Sequence, residues 1–381
     1  MAGQIIKRAE NTWTVRIYVG RSGDGKRKYQ NQTIHGIKKD AQTWLNDALR
    51  KQDIGIPTFQ TKTTLGDFLD KWLTTVAQPR VGERTFRDYE WQLGHVKTAL
   101  GTVRLSQLRA EDIQKLYSGL TASTARHFHS PLRSALSQAV RWHLIHANPC
   151  DAVDLPRCKA AEVQALTREE AGRLLAVERF TRKNKTGSVV VENRHRVLFA
   201  FLLTTGARPS EALGLKWTDI DFEKGLVTIQ RTLQWHSKKM GGGWYFEDTK
   251  TKCSKRSVPL PASMVQQLRE HRAAQAEALL KIGIRTDLCF ANSEGGPILR
   301  RNLVRRHFKP ALKAAKLSTA FSLYALRHTC ATLLLQAGVH PKVVSERLGH
   351  SSTTLTMDVY SHVLPGMQAD ATAQIERMLY G

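Results

Sequence analysis

Leu323 to Val363 reads LYALRHTCATLLLQAGVHPKVVSERLGHSSTTLTMDVYSHV, and the parsing of this run decides the fold. Ala331, Leu334 and Leu335 recur at helical spacing. Gly338 suits the end of that helix, because glycine enters the left-handed region without penalty, and Pro341 suits the first turn of the next. A tight helix pair of this kind draws Arg327, His328 and His350 together. Tyr360, ten residues beyond His350, follows on a short segment inside the polar run Met357 to His362. An arginine, two histidines and a tyrosine gathered at one point make a site geometry.

Working outward, the next informative stretch is TTGARPSEALGLKW, Thr204 to Trp217. An apolar helix over Val197 to Thr204 stops at Gly206, and Pro209 opens a new one, so Arg208 is placed at a helix N-terminus. Its charge there adds to backbone N–H groups that already favour an anion. Further on, Leu226 to Arg231 alternates as a strand after the turn Asp221 to Gly225. Trp244 to Phe246 and Ser257 to Leu260 are expected to complete a three-stranded sheet with it. Between those two lies Asp248 to Arg256, DTKTKCSKR, a basic hairpin tip.

Composition limits the partners. The 381 residues exceed one ordinary core, so two or three domains are expected. Lys and Arg number 58 against 33 Asp and Glu, a formal net charge of +25, spread along the chain and not confined to a tail. A polyanion, nucleic acid above all, is the matching partner. Five cysteines, Cys150, Cys158, Cys253, Cys289 and Cys330, show no C-x-x-C spacing, which argues for a reducing, cytoplasmic setting and against a disulfide framework or zinc site. Ile5-Ile6 is followed at once by Lys7 and Arg8, unlike a signal peptide, and no run approaches the roughly 20 apolar residues of a membrane span. No P-loop, H-E-x-x-H or inward carboxylate cluster is evident, so neither cofactor nor metal is expected.

Three domains are expected. Residues 1–56 hold a strand at Trp13 to Val19, a Gly-rich turn, a basic strand from Lys26 to Thr33 and a helix over Ile37 to Leu49. Arg16, Lys26, Arg27 and Lys28 give this small sheet a surface suited to a DNA major groove. After a linker at Ile54 to Lys62, residues 57–155 show four helical stretches. The fourth, Ser123 to His143, turns Leu132, Ala135, Leu136 and Ala139 inward and offers Arg126 and Arg133 outward, with Pro149 beyond its end. Residues 165–381 form the last domain, opening on the capping-box pattern Thr167-Arg168-Glu169-Glu170. It continues with an alanine-rich helix (Ser263 to Ile282), a short strand (Leu288 to Phe290) and a basic helix carrying Arg300, Arg301 and Arg305. A last helix follows Pro365, with Met367, Ala371, Ile375, Met378 and Leu379 along one side. The class is mainly α with small β-sheets, α+β, arranged as a multidomain DNA clamp.

Taken together, Tyr324-Ala325-Leu326-Arg327-His328, Leu348-Gly349-His350 and Tyr360 resemble the C-terminal signature of the tyrosine recombinases, the phage-type integrases. That signature runs H-x-x-R-H, then L-G-H, then a tyrosine; Tyr324 stands here in the place of the first histidine. Thr205-Gly206-Ala207-Arg208-Pro209-Ser210-Glu211 resembles the family's first arginine box, T-G-x-R-x-S-E. The first two domains resemble its arm-site-binding and core-binding domains. The resemblance implies a site-specific DNA recombinase with catalytic Tyr360, Arg208, Arg327, Lys250, His350 and Tyr324, supported by His328 and Glu211. The family's lysine lies in the basic hairpin, where spacing leaves Lys250 and Lys252 both open and the K-T pair favours Lys250; Lys252 otherwise joins the DNA contacts. Double-stranded attachment-site DNA and a homo-tetramer on it are the implied partners, with accessory DNA-bending or directionality factors. The tail of the family packs on a neighbouring protomer or on its own domain.

The chemistry fits those residues. A tyrosine phenol attacking a phosphodiester creates a phosphorane whose added negative charge must be met where it forms. Two permanently charged arginines can hold the nonbridging oxygens in bidentate fashion, as lysine cannot. A lysine in the hairpin can protonate the leaving 5′ hydroxyl. One phosphodiester replaces another, so rejoining needs no nucleotide. Two alternatives use the same sequence features: a type IB topoisomerase with little site preference, and a DNA-binding regulator without cleavage.

Overall fold

The computed structural model describes residues 3–21, 25–53, 62–158, 164–184, 187–235, 242–248, 255–350, 352–354, 357 and 367–380, in two compact units divided at residue 160.

The first unit opens with a three-stranded antiparallel sheet, β1 (Gly3–Ala9), β2 (Thr12–Arg21) and β3 (Arg27–His35), backed by helix α1 (Lys38–Asp53). The central strand reads as the alternation requires. Val15 and Ile17 are buried against Ala41, Leu45 and Ala48 of α1, while Arg16 lies over the Tyr29 ring at 4.0 Å. Sequence reading missed β1. Its register pairs Ile5 with Val15 and Lys7 with Trp13, and a two-residue turn closes it with Asn11 at φ 56°, a conformation asparagine tolerates better than most.

A second core in this unit belongs to four helices: α2 (Leu65–Trp72), α3 (Glu83–Leu100), α4 (Ala110–Ser118) and α5 (Ala122–Arg141). Thr64 caps α2 by accepting from the Asp67 N–H. Phe68, Leu69 and Trp72 meet Leu93, Val96, Ile113 and Tyr117, and Leu132, Ala135, Leu136 and Ala139 of α5 complete the core. Asn148 and Pro149 turn the chain out of the bundle, with the Asn148 amide donating to the Arg133 carbonyl and the Ser137 hydroxyl.

The second unit begins with α6 (Arg168–Leu175), whose Thr167 and Glu170 form the reciprocal capping box. A hairpin, β4 (Arg179–Asn184) and β5 (Gly187–Glu192), then leads into the apolar helix α7 (Arg196–Thr205) and the short α8 (Pro209–Leu213). The sheet differs from expectation. β6 (Ile220–Asp221), β7 (Leu226–Ile229) and β10 (Arg256–Pro259) form one three-stranded antiparallel sheet in the order β10-β7-β6. β9 (Trp244–Asp248) pairs instead with β8 (Arg231–Trp235), in register from Arg231 opposite Asp248 to Trp235 opposite Trp244. The division falls at Gln230, where the buried Asp219 carboxylate accepts from the Gln230 amide and the Arg231 guanidinium.

Helix α9 (Ala262–Leu280) follows. Leu288 to Phe290 is not a strand of a sheet: Leu288 makes a single bridge to Lys216 and Ala291 another to Pro297. The basic helix is interrupted as well. α10 (Arg300–Leu303) passes through a wider π-type turn, Val304–Phe308, into α11 (Lys309–Ala314), and Pro310, lacking an N–H, cannot continue the regular ladder there. Helices α12 (Leu323–Gln336) and α13 (Pro341–Leu348) are the expected pair, held by Ala331, Leu335, Val344 and Leu348. A final helix spans Met367–Tyr380, with Ile375, Met378 and Leu379 exposed. No described helix is long and apolar enough to cross a membrane.

The core of this unit gathers Phe199, Phe201 and Leu202 of α7, Val227 and Ile229 of β7, Phe308, Leu312 and Leu326. Phe199 and Phe308 meet edge to face at 5.3 Å. Phe308→Ala removes a fully buried ring and should destabilise this unit by roughly 3–5 kcal/mol, read as a lowered midpoint in urea unfolding of the whole chain.

Candidate active site

The site is assembled around the end of α7. Gly206 turns the chain with φ 65°, and a Cβ there would come within 2.5 Å of Leu348 Cδ2 and 3.3 Å of Cys330 Sγ, so glycine is required on both counts. Two residues on, Arg208 stands at the N-terminus of α8, as its sequence context predicts. Its backbone N–H donates to Glu211 Oε2 at 2.8 Å, its Nη1 donates to Glu211 Oε1 at 2.7 Å and its Nη2 reaches the Gly349 carbonyl at 3.2 Å.

Glu211 is the pivot of this arrangement, with a side chain only 1% exposed. Arg256, at the start of β10, contacts the other carboxylate oxygen through Nη2 at 2.9 Å. Burial alone would raise the Glu211 carboxyl, but the hydrogen bonds and charges of Arg256, and then of Arg208, outweigh it and hold the group below the ordinary carboxylate range. Arg256 also donates Nε to the Arg347 carbonyl at 2.7 Å. Gly349, at φ 69°, lies so close that a Cβ would meet Arg256 Nη1 at 2.8 Å.

From the other side, α12 carries Arg327 into the same place. Its side chain is buried, and Nη1 donates to the Gly206 carbonyl at 2.7 Å. Arg347 ties α13 to α7 by donating Nη2 to the Thr204 carbonyl at 2.9 Å. His350 follows the Gly349 turn. Burial first, then Arg327, Arg208, Arg256 and His328, push its imidazole down to about 4, so it is neutral at pH 7. His328 is lowered by burial and by Arg327. Arg208, Arg327, His328 and His350 therefore share one electrostatic neighbourhood.

Tyr324, one turn before Arg327, has the Arg300 guanidinium over its ring at 5.3 Å. Arg301 and Arg305 are exposed on the same basic segment. In the first unit Arg16, on the face of β2 away from α1, sits against Tyr29, while Lys26 and Arg27 are exposed. Arg126 and Arg133 are exposed on α5, Arg126 donating to the Pro156 carbonyl and Arg133 pairing with Asp151 at 2.7 Å. Tyr360, Lys250, Lys252 and Cys253 lie outside the described residues, as do the turn at 22–24, the linker at 54–61 and the side chain of Lys28. Among the described residues no His, Cys, Asp and Glu group could hold a metal ion.

Sequence reading missed Arg256 and Arg347. The signal for the first was the glutamate of the arginine box, since a carboxylate packed behind one arginine needs a second cation to be buried. Arg347 precedes the Leu-Gly-His turn directly, but nothing in its spacing announces which carbonyls it meets.

In this mainly helical α+β chain two arginines and a histidine are gathered in front of a buried glutamate, an arrangement with the charge to hold a phosphodiester. The model of the phage integrase family matches residues 166–366, more than half the chain, and that of the phage integrase N-terminal SAM-like domain matches residues 64–121. The chain belongs to the phage integrase family and is a site-specific recombinase of the tyrosine class. It is 29% identical to a tyrosine recombinase XerC-like protein of Caldanaerobacter subterraneus subsp. tengcongensis, over 96% of each chain. In fold it is similar to the Tn1549 transposon integrase in complex with a circular intermediate DNA, with a TM-score of 0.67 and 22% identity over 83% of this chain and 99% of that one. A lambda integrase tetramer bound to a Holliday junction is similar with a TM-score of 0.57 and 19% identity, over 93% and 94% of the two chains.

The His350 titration follows from its neighbours. In the free protein the ring should titrate near 4, followed by NMR of its nitrogens, and Arg327→Gln should move that midpoint upward by removing a cation that opposes protonation. Because the folded value lies below the ordinary histidine value of about 6.5, the associated stability is present above that pH and is lost as pH falls toward 4.

Proposed function

We propose that the chain cleaves and rejoins DNA at attachment sites through a 3′-phosphotyrosine on Tyr360, integrating or excising a phage or other mobile element. The observation that carries this reading is the convergence of Arg208 and Arg327 on His350, with Glu211 and Arg256 fixing the first arginine from behind. Two guanidinium groups of this kind offer planar donor pairs to the nonbridging oxygens of a scissile phosphate. As the Tyr360 phenol gives its proton to the neutral His328 and its oxygen bonds to phosphorus, the bond to the 5′ oxygen breaks, and the added charge of the pentacoordinate state falls on the nonbridging oxygens.

The neutral His350 donates a hydrogen bond to the phosphate without adding a charge that the arginines would repel. Lys250, with Lys252 as the other candidate, protonates the departing 5′ hydroxyl. His328 and Tyr324 line the same helix turn, so Tyr324 supplies one hydrogen bond where the family places a histidine. Attack by the 5′ hydroxyl of a second strand on the phosphotyrosine reverses the step and frees Tyr360. Pairwise exchange of this sort requires four active sites on two duplexes, and the lambda integrase tetramer on a Holliday junction supports a homo-tetramer here. Arg16, Lys26, Arg27, Lys28, Arg126, Arg133, Arg300, Arg301 and Arg305 contribute contacts to the DNA backbone and grooves. Accessory DNA-bending or directionality factors set which direction prevails.

Tyr360→Phe should retain DNA binding and form no covalent complex with a nicked suicide duplex; a complex that persists would overturn the assignment. Arg208→Lys and Arg327→Lys should each lower the cleavage rate about a hundredfold or more, the scale of losing one preorganised donor, roughly 3 kcal/mol. Sequencing the DNA trapped on the wild-type chain separates this reading from a relaxing enzyme, because a recombinase yields one recurrent junction and a topoisomerase yields dispersed ones.

A further inference from the structure

A second cationic site lies in the C-terminal unit and shares no lining residue with the candidate active site. Hairpin β4–β5, the start of α7 and the segment from Asn292 to His307 enclose a cavity of about 640 Å³. Arg182, Arg194 and Arg306 line it together. None of the three is ion-paired with a carboxylate among the described residues, although Glu192 and Glu294 also border the cavity and are exposed. Their company is costly: partial burial and then the charge of Arg182 pull the Arg194 guanidinium below its ordinary range.

Two histidines form the inner wall. The His195 and His307 rings meet at right angles, 4.3 Å apart, and Arg194 Nε donates to His195 Nε2 at 3.4 Å. Burial, then His307 and Arg194, push His195 down to about 2, and burial, then Arg194, Arg182 and Arg306, push His307 down to about 4. His307 Nδ1 is buried with no hydrogen-bond partner among the described residues. Three like charges that outnumber the two bordering carboxylates and pair with neither among the described residues, beside one ring nitrogen without a partner there, are the complement of a multivalent oxyanion.

We propose that this cavity is a phosphate-binding site, taking either a backbone phosphate of DNA held by the same unit or a free polyphosphate. The guanidinium forks come from β4, from the turn before α7 and from the π-type turn after α10, three separate elements that line one cavity, with the His307 ring in its wall. The site needs no strand exchange, so its test does not depend on the chemistry of Tyr360.

The experiment compares the full-length wild type with Arg182→Gln/Arg194→Gln/Arg306→Gln, with the single variant Arg306→Gln, and with the triple lysine variant that keeps the charge. Two quantities are read: the slope of log binding constant against log salt for a random-sequence duplex, and the thermal midpoint with sodium pyrophosphate alone. Each lost phosphate contact lowers the slope by about 0.9. A slope reduced by about 1 or more in the glutamine variants, and largely restored by lysine, assigns the site to the DNA backbone. An unchanged slope with loss of the midpoint rise given by pyrophosphate assigns it to a free polyphosphate. Wild-type values of both in a triple glutamine variant with native circular dichroism overturn the proposal. If the triple variant does not fold, the same two readings on Arg306→Gln, whose side chain is exposed, decide in the same way.

Discussion

A carboxylate taken out of water must be matched by cations, and Glu211 is matched twice, by Arg208 on one oxygen and Arg256 on the other. Breaking one half of such a buried pair leaves an uncompensated charge, at a typical cost of several kcal/mol. That constraint reaches well beyond the pair. Arg256 is bound in turn to the last turn of α13 and packs beneath Gly349, so the glutamate fixes where the Gly349-His350 turn can lie. Arg208, held by the same carboxylate, is aimed without having to be ordered when a phosphate arrives, which is the condition for electrostatic stabilisation without reorganisation.

Much of this was legible in the chain. Local rules fixed the helices, since Thr167, Gly206, Pro209, Gly338 and Pro341 are start and stop residues whose effect does not depend on distant partners. The arginine box and the Leu-Gly-His turn, read through their resemblance to the family, marked Arg208, Arg327 and His350, which the structure brings into one neighbourhood. Strand pairing was less legible. Trp244 to Phe246 alternates as well beside β8 as beside β10, and the break between β7 and β8 falls where the buried Asp219 engages Gln230 and Arg231, a contact distant in sequence. β1 escaped notice because Ile5 and Ile6 lie next to each other, which blurs the period of two. Arg256 and Arg347 act through backbone carbonyls distant in sequence, and a partner of that kind leaves no mark on composition or spacing.

The strong positive charge of the chain divides by surroundings. On β2, Arg16 rests on an aromatic ring with its sheet face away from α1. On α5, Arg133 is already paired with Asp151, so its field is weaker than that of an unpaired neighbour. In the C-terminal unit two groups of arginines stand out, one behind His350 and one beside His307, and in both a histidine is kept neutral first by burial and then by the cations around it. Charge is thus supplied by groups that cannot lose it, while the imidazoles stay available for hydrogen bonding at neutral pH.

Four guanidinium contacts around the candidate active site end on main-chain carbonyls where two helices finish: Thr204 and Gly206 at the end of α7, Arg347 and Gly349 at the end of α13. The closing turn of a helix carries partial negative charge and carbonyls with no partner of their own. Arg327, Arg347, Arg256 and Arg208 therefore serve as plugs for two helix termini as well as a cationic bed. Truncating any one of them removes a plug together with a charge, and the resulting loss of turnover mixes frayed secondary structure with missing electrostatics. A lysine or a charge-free isostere long enough to reach the same carbonyl separates the two contributions.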